Sequence, residues 1–254
     1  MSASPMRALI LAAGRGERMR PLTDATPKPL LWAGGKRLIE WQIEALAAAG
    51  VRDVVINVAH LPDQFESVLA NGDRYGVSLH YSREGNRAED ALETLGGILK
   101  ALAWLRDTPF IVASGDIVTD YPYRRLEAAC EALQQGSYDA HLVMVDNPAF
   151  HLRGDMALVD RSGKSQIDPD ATPRLTYANI GVFAPRLFAP VALELHGRRA
   201  PLFPWIYTAA RAGRVSGEHY SGRWWNAGTP ADLAQLDAEL RNEGNRGAAE
   251  EMRR

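Results

Sequence analysis

Cysteine is almost absent from this sequence. Cys130 is the only one in 254 residues, so no disulfide can form within the chain, and a reducing compartment fits. Cys130 lies in the helical-looking stretch 126–133 and reads as a small packed residue rather than a reactive thiol. There is no excess of positive charge either. The 29 Lys and Arg stand against 31 Asp and Glu, a net charge of −2, which excludes a surface built to neutralise a nucleic-acid backbone. No apolar run approaches the ~20 residues of a membrane span, and the run Ala8–Ala13 falls short of the ~7–15 residues of a signal-peptide core. A cytoplasmic protein with no nucleic-acid or membrane partner is expected. The six histidines are scattered, with no zinc spacing and no Ser–His–Asp or Cys–His set. Two phosphate-binding signatures are missing as well: there is no GxxxxGK[ST], and Met19 occupies the third glycine of GxGxxG.

What is present is an alternation of short apolar runs and amphipathic stretches. The runs 8–12, 54–58, 77–81, 110–113, 140–145 and 180–183 are continuous or β-branched, as strands covered on both faces require. The stretch 38–49 carries Leu38, Ile39, Trp41, Ile43, Leu46 and Ala47 on a helical stripe and stops at Gly50; stretches 91–105 and 123–133 repeat the pattern. Helices are also expected over 201–212 and 230–240, the latter opened by Thr229-Pro230. This order predicts an α/β fold with a largely parallel sheet over the first half. Residues 146–178, rich in turn chemistry, predict a hairpin-rich lobe attached to it.

The first strand, RALILAA, runs into Gly14-Arg15-Gly16-Glu17-Arg18-Met19-Arg20-Pro21. Ligands of open α/β sheets bind at the carboxyl ends of strands, and Ala12, Ala13, Gly14 and Gly16 let backbone N–H groups approach a phosphate or base closely. Arg18 offers a forked donor to phosphate oxygens. In Thr26-Pro27-Lys28-Pro29, two prolines predict a stiff extended base for Lys28. The strand FIVA delivers Ser114-Gly115-Asp116 to the sheet edge, and Leu92-Glu93-Thr94-Leu95-Gly96-Gly97 opens a helix.

Taken together, LAAGRGERMRPLTDATPKPLL resembles the signature of the sugar-1-phosphate nucleotidyltransferase family, which makes nucleoside diphosphate sugars. The resemblance runs from about residue 8 to 240. It implies a Rossmann-like three-layer fold with a mostly parallel central mixed sheet and a small β-rich sugar-binding lobe. It also implies one domain over 1–243, with a nucleotide-binding half at about 7–135, a sugar-binding lobe at about 136–228 and a flexible tail at 244–254. By resemblance Arg18 and Lys28 bind the triphosphate and Asp116 ligates Mg²⁺. Ala12, Ala13, Gly14, Gly16, Glu17, Ser114 and the segment holding Glu93, Thr94, Gly96 and Gly97 contact the nucleotide.

Near the C-terminus, Gly222-Arg223-Trp224-Trp225-Asn226-Ala227-Gly228-Thr229-Pro230 resembles the family's W-x-D-x-G-T-P, with Asn226 where the family has its second metal-binding aspartate. An amide oxygen ligates Mg²⁺ without contributing charge. The resemblance makes Asn179 and Gly181 sugar-binding residues, and Asp155 aligns with a sugar-contacting acid or serves only as a turn aspartate. The segments YSREG…ALETLGGI, VDNPAFHLRGD and VSGEHYSGRW resemble the branch that transfers uridylyl to N-acetylmuramate 1-phosphate. The reaction so implied has an NTP and a sugar 1-phosphate as its small-molecule partners. A sugar-phosphate oxygen attacks the α-phosphorus and pyrophosphate leaves. Guanylyl transfer to mannose 1-phosphate, thymidylyl transfer to glucose 1-phosphate and a non-catalytic nucleotide-sugar sensor remain as alternatives.

Overall fold

The computed structural model describes residues 6–105 and 107–251. In chain order the elements are β1 (Arg7–Leu11), α1 (Leu22–Ala25), β2 (Trp32–Ala33), β3 (Lys36–Arg37), α2 (Leu38–Ala48), β4 (Asp53–Val58), α3 (Pro62–Leu69), β5 (Ser78–Arg83), α4 (Glu93–Leu105), β6 (Phe110–Ser114), β7 (Ile117–Thr119), α5 (Leu126–Gln134), β8 (Ala140–Val145), β9 (Ala157–Asp160), β10 (Ser165–Asp168), β11 (Thr176–Phe183), α6 (Phe203–Arg211), β12 (Val215–His219), β13 (Trp224–Asn226) and α7 (Pro230–Glu251). Nine strands form one sheet in the order β5-β4-β1-β6-β11-β8-β12-β10-β9. The first four are parallel. β11 runs antiparallel to both β6 and β8, and β12 is parallel to β8. The hairpin β9–β10 then closes the far edge.

The apolar runs are continuous because helices cover both faces. Alternate residues of β1 divide between two cores. Ala8 and Ile10 pack with Ile39, Ile43, Phe65 and Leu126 of α2, α3 and α5. Leu9 packs on the opposite side with Leu95, Ile98 and Ile206 of α4 and α6. The result is the expected three-layer α/β architecture with a mostly parallel mixed sheet. The hairpin of the expected β-rich lobe is attached to the main sheet, because β10 pairs with β12 at Gln166↔Ser216 and with β9 on its other side.

Two features place the site. β1 lies between β4 and β6, so the order of strands reverses there and the chain leaves the sheet on both sides of a crevice at the strands' carboxyl ends. A third, smaller core clasps the loop after β1: Met19, fully buried, packs with Leu38, Val118, Ala227 and with Leu233 and Leu236 of α7. Met19 thus anchors the turn that a glycine would occupy in a dinucleotide fingerprint. α7 reaches Glu251, well past the stretch 230–240 suggested by the sequence and through most of the segment expected as a tail; residues 252–254 lie outside the described residues. Among the described residues no helix is long and apolar enough to cross a membrane.

Candidate active site

A cleft of about 720 Å³ opens at the crevice. The loop Ala12–Met19 forms one wall, and the first turn of α4 with the preceding segment forms the other. Of the residues expected from sequence, Ala12, Ala13, Gly14, Gly16, Glu17, Arg18, Lys28, Glu93, Thr94, Ser114 and Asp116 all line it. They come from segments up to 104 positions apart, brought together by the parallel pairing of β1 with β4 and β6.

The loop is shaped by its glycines and by Thr23. Gly16 has φ +70°, and a Cβ there would stand 3.0 Å from Lys28 Cβ. The position therefore demands glycine twice over, for backbone and for space. The buried Thr23 donates from Oγ1 to the Gly16 carbonyl at 3.0 Å and fixes the turn. Arg15 also lines the cleft, but its guanidinium is paired with Asp24 at 3.1 Å. Arg18 is exposed on the cleft wall and makes no ion pair among the described residues, so its guanidinium is available to an anion.

Lys28 is not on an extended segment. Pro27 is extended, but Lys28–Leu30 form a single 3-10 turn, with Pro29 at a position whose missing N–H costs nothing. The turn buries Lys28 to 8% exposure and aims its ammonium across the cleft floor. There Nζ lies 2.5 Å from Asp116 Oδ2 and 3.5 Å from Asn226 Oδ1. Asp116 follows the tight turn at Gly115, whose N–H donates to the Leu11 carbonyl at 2.9 Å. Asn226 arrives from the other end of the chain through the β13–β7 ladder, where it pairs with Ile117. Trp224 locks that ladder by donating from Nε1 to the Ala178 carbonyl at 2.9 Å.

The side-chain oxygens of Asp116 and Asn226 converge on one cationic position, held here by the Lys28 ammonium. One carboxylate and one amide oxygen suit a hard divalent cation that takes the rest of its shell from phosphates and water. Among the described residues no group of three or more His, Cys, Asp or Glu forms a self-sufficient metal cage.

Other expected contacts are not brought to the cleft. Gly96 and Gly97 are buried inside α4. A Cβ on Gly96 would stand 2.4 Å from the Arg198 carbonyl oxygen. Gly96 therefore admits the segment that caps α4, where the Ala200 carbonyl accepts from Leu95 N–H at 3.0 Å. Gly181 is buried in β11 against the His141 carbonyl and has no surface to offer a sugar. Asp155 spends both oxygens within the protein, one on the Tyr177 N–H at 2.8 Å and one on His151 at 3.0 Å. Asn179 has φ +56° in the bulge of β11, one residue before the Ile180↔Ala113 pair and hence beside the Ser114 end of β6.

Residues 7–149 match the nucleotidyl transferase family. The chain belongs to that family. It is 40% identical to an N-acetylmuramate alpha-1-phosphate uridylyltransferase of Neisseria meningitidis, an alignment covering 92% of this chain and 97% of that one. It is 33% identical to the protein of the same description from Caulobacter vibrioides, over 95% and 98% of the two chains. It is also 33% identical to a mannose-1-phosphate guanyltransferase of Neurospora crassa, 90% of this chain matching 62% of that longer protein. The fold is shared with a solved Bacillus anthracis protein described as a glucose-1-phosphate thymidylyltransferase in complex with sucrose, with a TM-score of 0.74 at 22% identity over 93% and 95% of the two chains.

This nucleotidyltransferase also has cleft residues that the sequence reading passed over. Asn57, Glu84 and Arg199 line the same space. Asn57 had a signal, a polar residue near the carboxyl end of the otherwise apolar strand DVVINV. Glu84 follows directly on β5, and burial raises its carboxyl above the ordinary range, against the opposing pull of hydrogen bonds from the Leu92 N–H and the Asn57 amide. Arg199 carried no sequence signal. It reaches the rim because the capping segment crosses α4, and there its Nε meets Glu93 Oε1 at 2.8 Å, with Glu93 itself at φ +59°.

Proposed function

We propose that this nucleotidyltransferase transfers the uridylyl group of UTP to N-acetylmuramate 1-phosphate, forming a UDP-sugar and pyrophosphate. The observation that supports this best is the convergence of the Arg18 guanidinium, the buried Lys28 ammonium and the Asp116 carboxylate on one cleft, with the Asn226 amide oxygen reaching the same ammonium. It is joined by end-to-end similarity to two uridylyltransferases of that description. The loop between Ala12 and Met19 receives the triphosphate on its backbone N–H groups, and Arg18 pairs with its oxygens. The α4 wall, with Glu93 and Thr94, faces the base. The sugar phosphate enters from the side of β11 and β13, near Asn179 and Asn226.

No protein nucleophile is required. A phosphate oxygen of the sugar 1-phosphate attacks the α-phosphorus, a new P–O bond forms, and the bond to the bridging oxygen of the departing pyrophosphate breaks. Catalysis is then positioning and charge neutralisation. Lys28 sits on the floor where negative charge gathers on the α-phosphate, and Arg18 meets charge on the leaving group. Asp116 and Asn226 would hold a divalent cation, Mg²⁺ in this reading, which supplies Lewis-acid neutralisation of phosphate oxygens. In this reading the enzyme is cytoplasmic and catalyses a step that returns a cell-wall amino sugar to the nucleotide-sugar pool.

The test is pyrophosphate release across a matrix of NTPs and sugar 1-phosphates. UTP with N-acetylmuramate 1-phosphate should give the highest kcat/KM. A maximum at GTP with mannose 1-phosphate, or at dTTP with glucose 1-phosphate, would reassign the substrates. Nucleotide binding without turnover of any pair would leave a sensor.

A further inference from the structure

At the base of the cleft, two of its polar lining side chains tie its walls together. Asn57 is 3% exposed, and its Oδ1 accepts the N–H of Ala12 at 2.7 Å. Its Nδ2 donates to Glu84 Oε1 at 2.6 Å, and Glu84 Oε2 accepts the N–H of Leu92 at 2.6 Å. Ala12 is the first residue after β1 and begins the loop wall; Leu92 immediately precedes Glu93 and opens the α4 wall. Three hydrogen bonds therefore run unbroken from one wall to the other. Apart from these bonds, the two walls rise from different strands, β1 and β5, which do not pair with each other.

The polarity of this relay is fixed by its ends. Both termini are backbone donors, so the pair must present an acceptor at each end and one donor–acceptor contact in the middle. An amide followed by an ionised carboxylate satisfies that pattern. So does the reversed pair produced by Asn57→Asp together with Glu84→Gln. Neither substitution alone does: the first sets two carboxylates against each other, and the second leaves two donors face to face at one of the contacts. Gly97 supports the same conclusion from the helix side. A Cβ there would stand 2.5 Å from Glu84 Oε1 and 2.6 Å from Asn57 Nδ2, so the glycine leaves room for the relay rather than for a ligand.

We propose that Asn57 and Glu84 are positioning residues that hold the loop wall and the α4 wall in register, so that triphosphate and base are bound at once. The proposal rests on the reading above that these walls receive a nucleoside triphosphate. Their registry matters to the NTP and not to the sugar phosphate, which approaches from the β11 side.

The experiment measures UTP affinity by calorimetry, alongside melting temperature and the KM for the sugar phosphate. It compares the unaltered protein with Asn57→Asp, Glu84→Gln, the double variant and Gly97→Ala. Each single relay variant should weaken UTP about tenfold or more, the effect of leaving one buried polar group unsatisfied, with the sugar-phosphate KM little changed. The double variant should recover to within about threefold of the unaltered protein, a coupling that two independent losses do not give. Gly97→Ala should weaken UTP in the same selective way. Native UTP affinity in the single variants overturns the proposal. So does a double variant that melts like the native protein yet binds UTP no better than the singles, the result expected if Glu84 acts on the base directly. If the double variant does not fold, native UTP affinity in Gly97→Ala overturns it and selective weakening supports it. Absence of any nucleotidyl transfer by the unaltered protein would instead sink the proposed reaction, while the UTP affinities would still decide the relay.

Discussion

Lys28 and Asp116, 88 residues apart in sequence, meet at 2.5 Å on the floor of the cleft. Lys28 is the more buried partner, with 10% of its side chain exposed against 26% for Asp116. A cation so placed is preorganised, held before any phosphate arrives. Lys28→Ala should therefore lower kcat by about 10²–10³-fold, the scale of losing one aimed electrostatic group at a reacting centre. It should also lower the melting temperature, because Asp116 loses its counter-charge and the 3-10 turn loses its buried stem. Initial rates and thermal melts of one preparation check both effects.

Arg18 offers the contrast. It is exposed and without an ion-pair partner among the described residues, so the folded protein spends nothing on it. Arg18→Ala should cost a comparable about 10²–10³-fold in rate while leaving the melting curve unmoved. Arg18→Lys should recover only part, because an ammonium does not reproduce the forked contact. Rates near normal in both variants would remove Arg18 from the triphosphate.

Asn226→Asp tests the metal position. Asn226 Oδ1 and Asp116 converge on one cation. A second carboxylate there should tighten the electrostatic hold on a divalent ion and lower the Mg²⁺ concentration giving half-maximal rate. The maximal rate need not rise, since a firmer grip slows release of magnesium pyrophosphate. Mg²⁺ titrations of both proteins are compared; superimposable curves would place Asn226 away from the metal.

Much of this was legible in the sequence, and for a physical reason. Strands covered on both faces must be apolar throughout, so β1, β4, β6, β8 and β11 declare themselves as continuous runs. The phosphate loop is equally plain because its chemistry is local: small residues at Ala12, Ala13, Gly14 and Gly16, then Arg18. What was hidden depends on partners far along the chain. β12, reading Val-Ser-Gly-Glu-His, is a strand because β8 and β10 flank it, not because of its own pattern. Lys28 looked extended between its prolines; Pro29 instead sits within a 3-10 turn that buries the lysine. Gly96 and Gly97 resembled ligand-contacting glycines, whereas their freedom from a side chain serves the Arg198 carbonyl and the Asn57–Glu84 pair. A glycine's sequence says that something approaches closely, but not what.

The buried acids give a prediction at high pH. Burial pushes the Cys130 thiol up to about 12 and the Tyr81 phenol up to about 12, and it raises Tyr121, Tyr123 and Tyr177 as well. In the unfolded chain these groups ionise near their ordinary values of 9.0 and 10.0. Between those values and the raised ones the unfolded state has lost protons that the folded state keeps, so stability falls as pH rises. The urea midpoint should hold steady to about pH 9 and then decline. Cys130 should likewise resist thiol reagents at pH 8 until denaturant is added. A midpoint flat to pH 11, or rapid labelling of the native protein, would contradict this.

The central claim, that the cleft joins a uridylyl group to a sugar phosphate, is tested most directly by following the α-phosphorus. The protein is incubated with Mg²⁺, N-acetylmuramate 1-phosphate and UTP carrying its label on the α-phosphate, and the products are separated. The proposed reaction places all transferred label in a UDP-sugar, with unlabelled pyrophosphate released in equal amount. Label recovered as UMP or UDP without sugar, or no transfer to any sugar 1-phosphate under conditions where UTP binds, would contradict it.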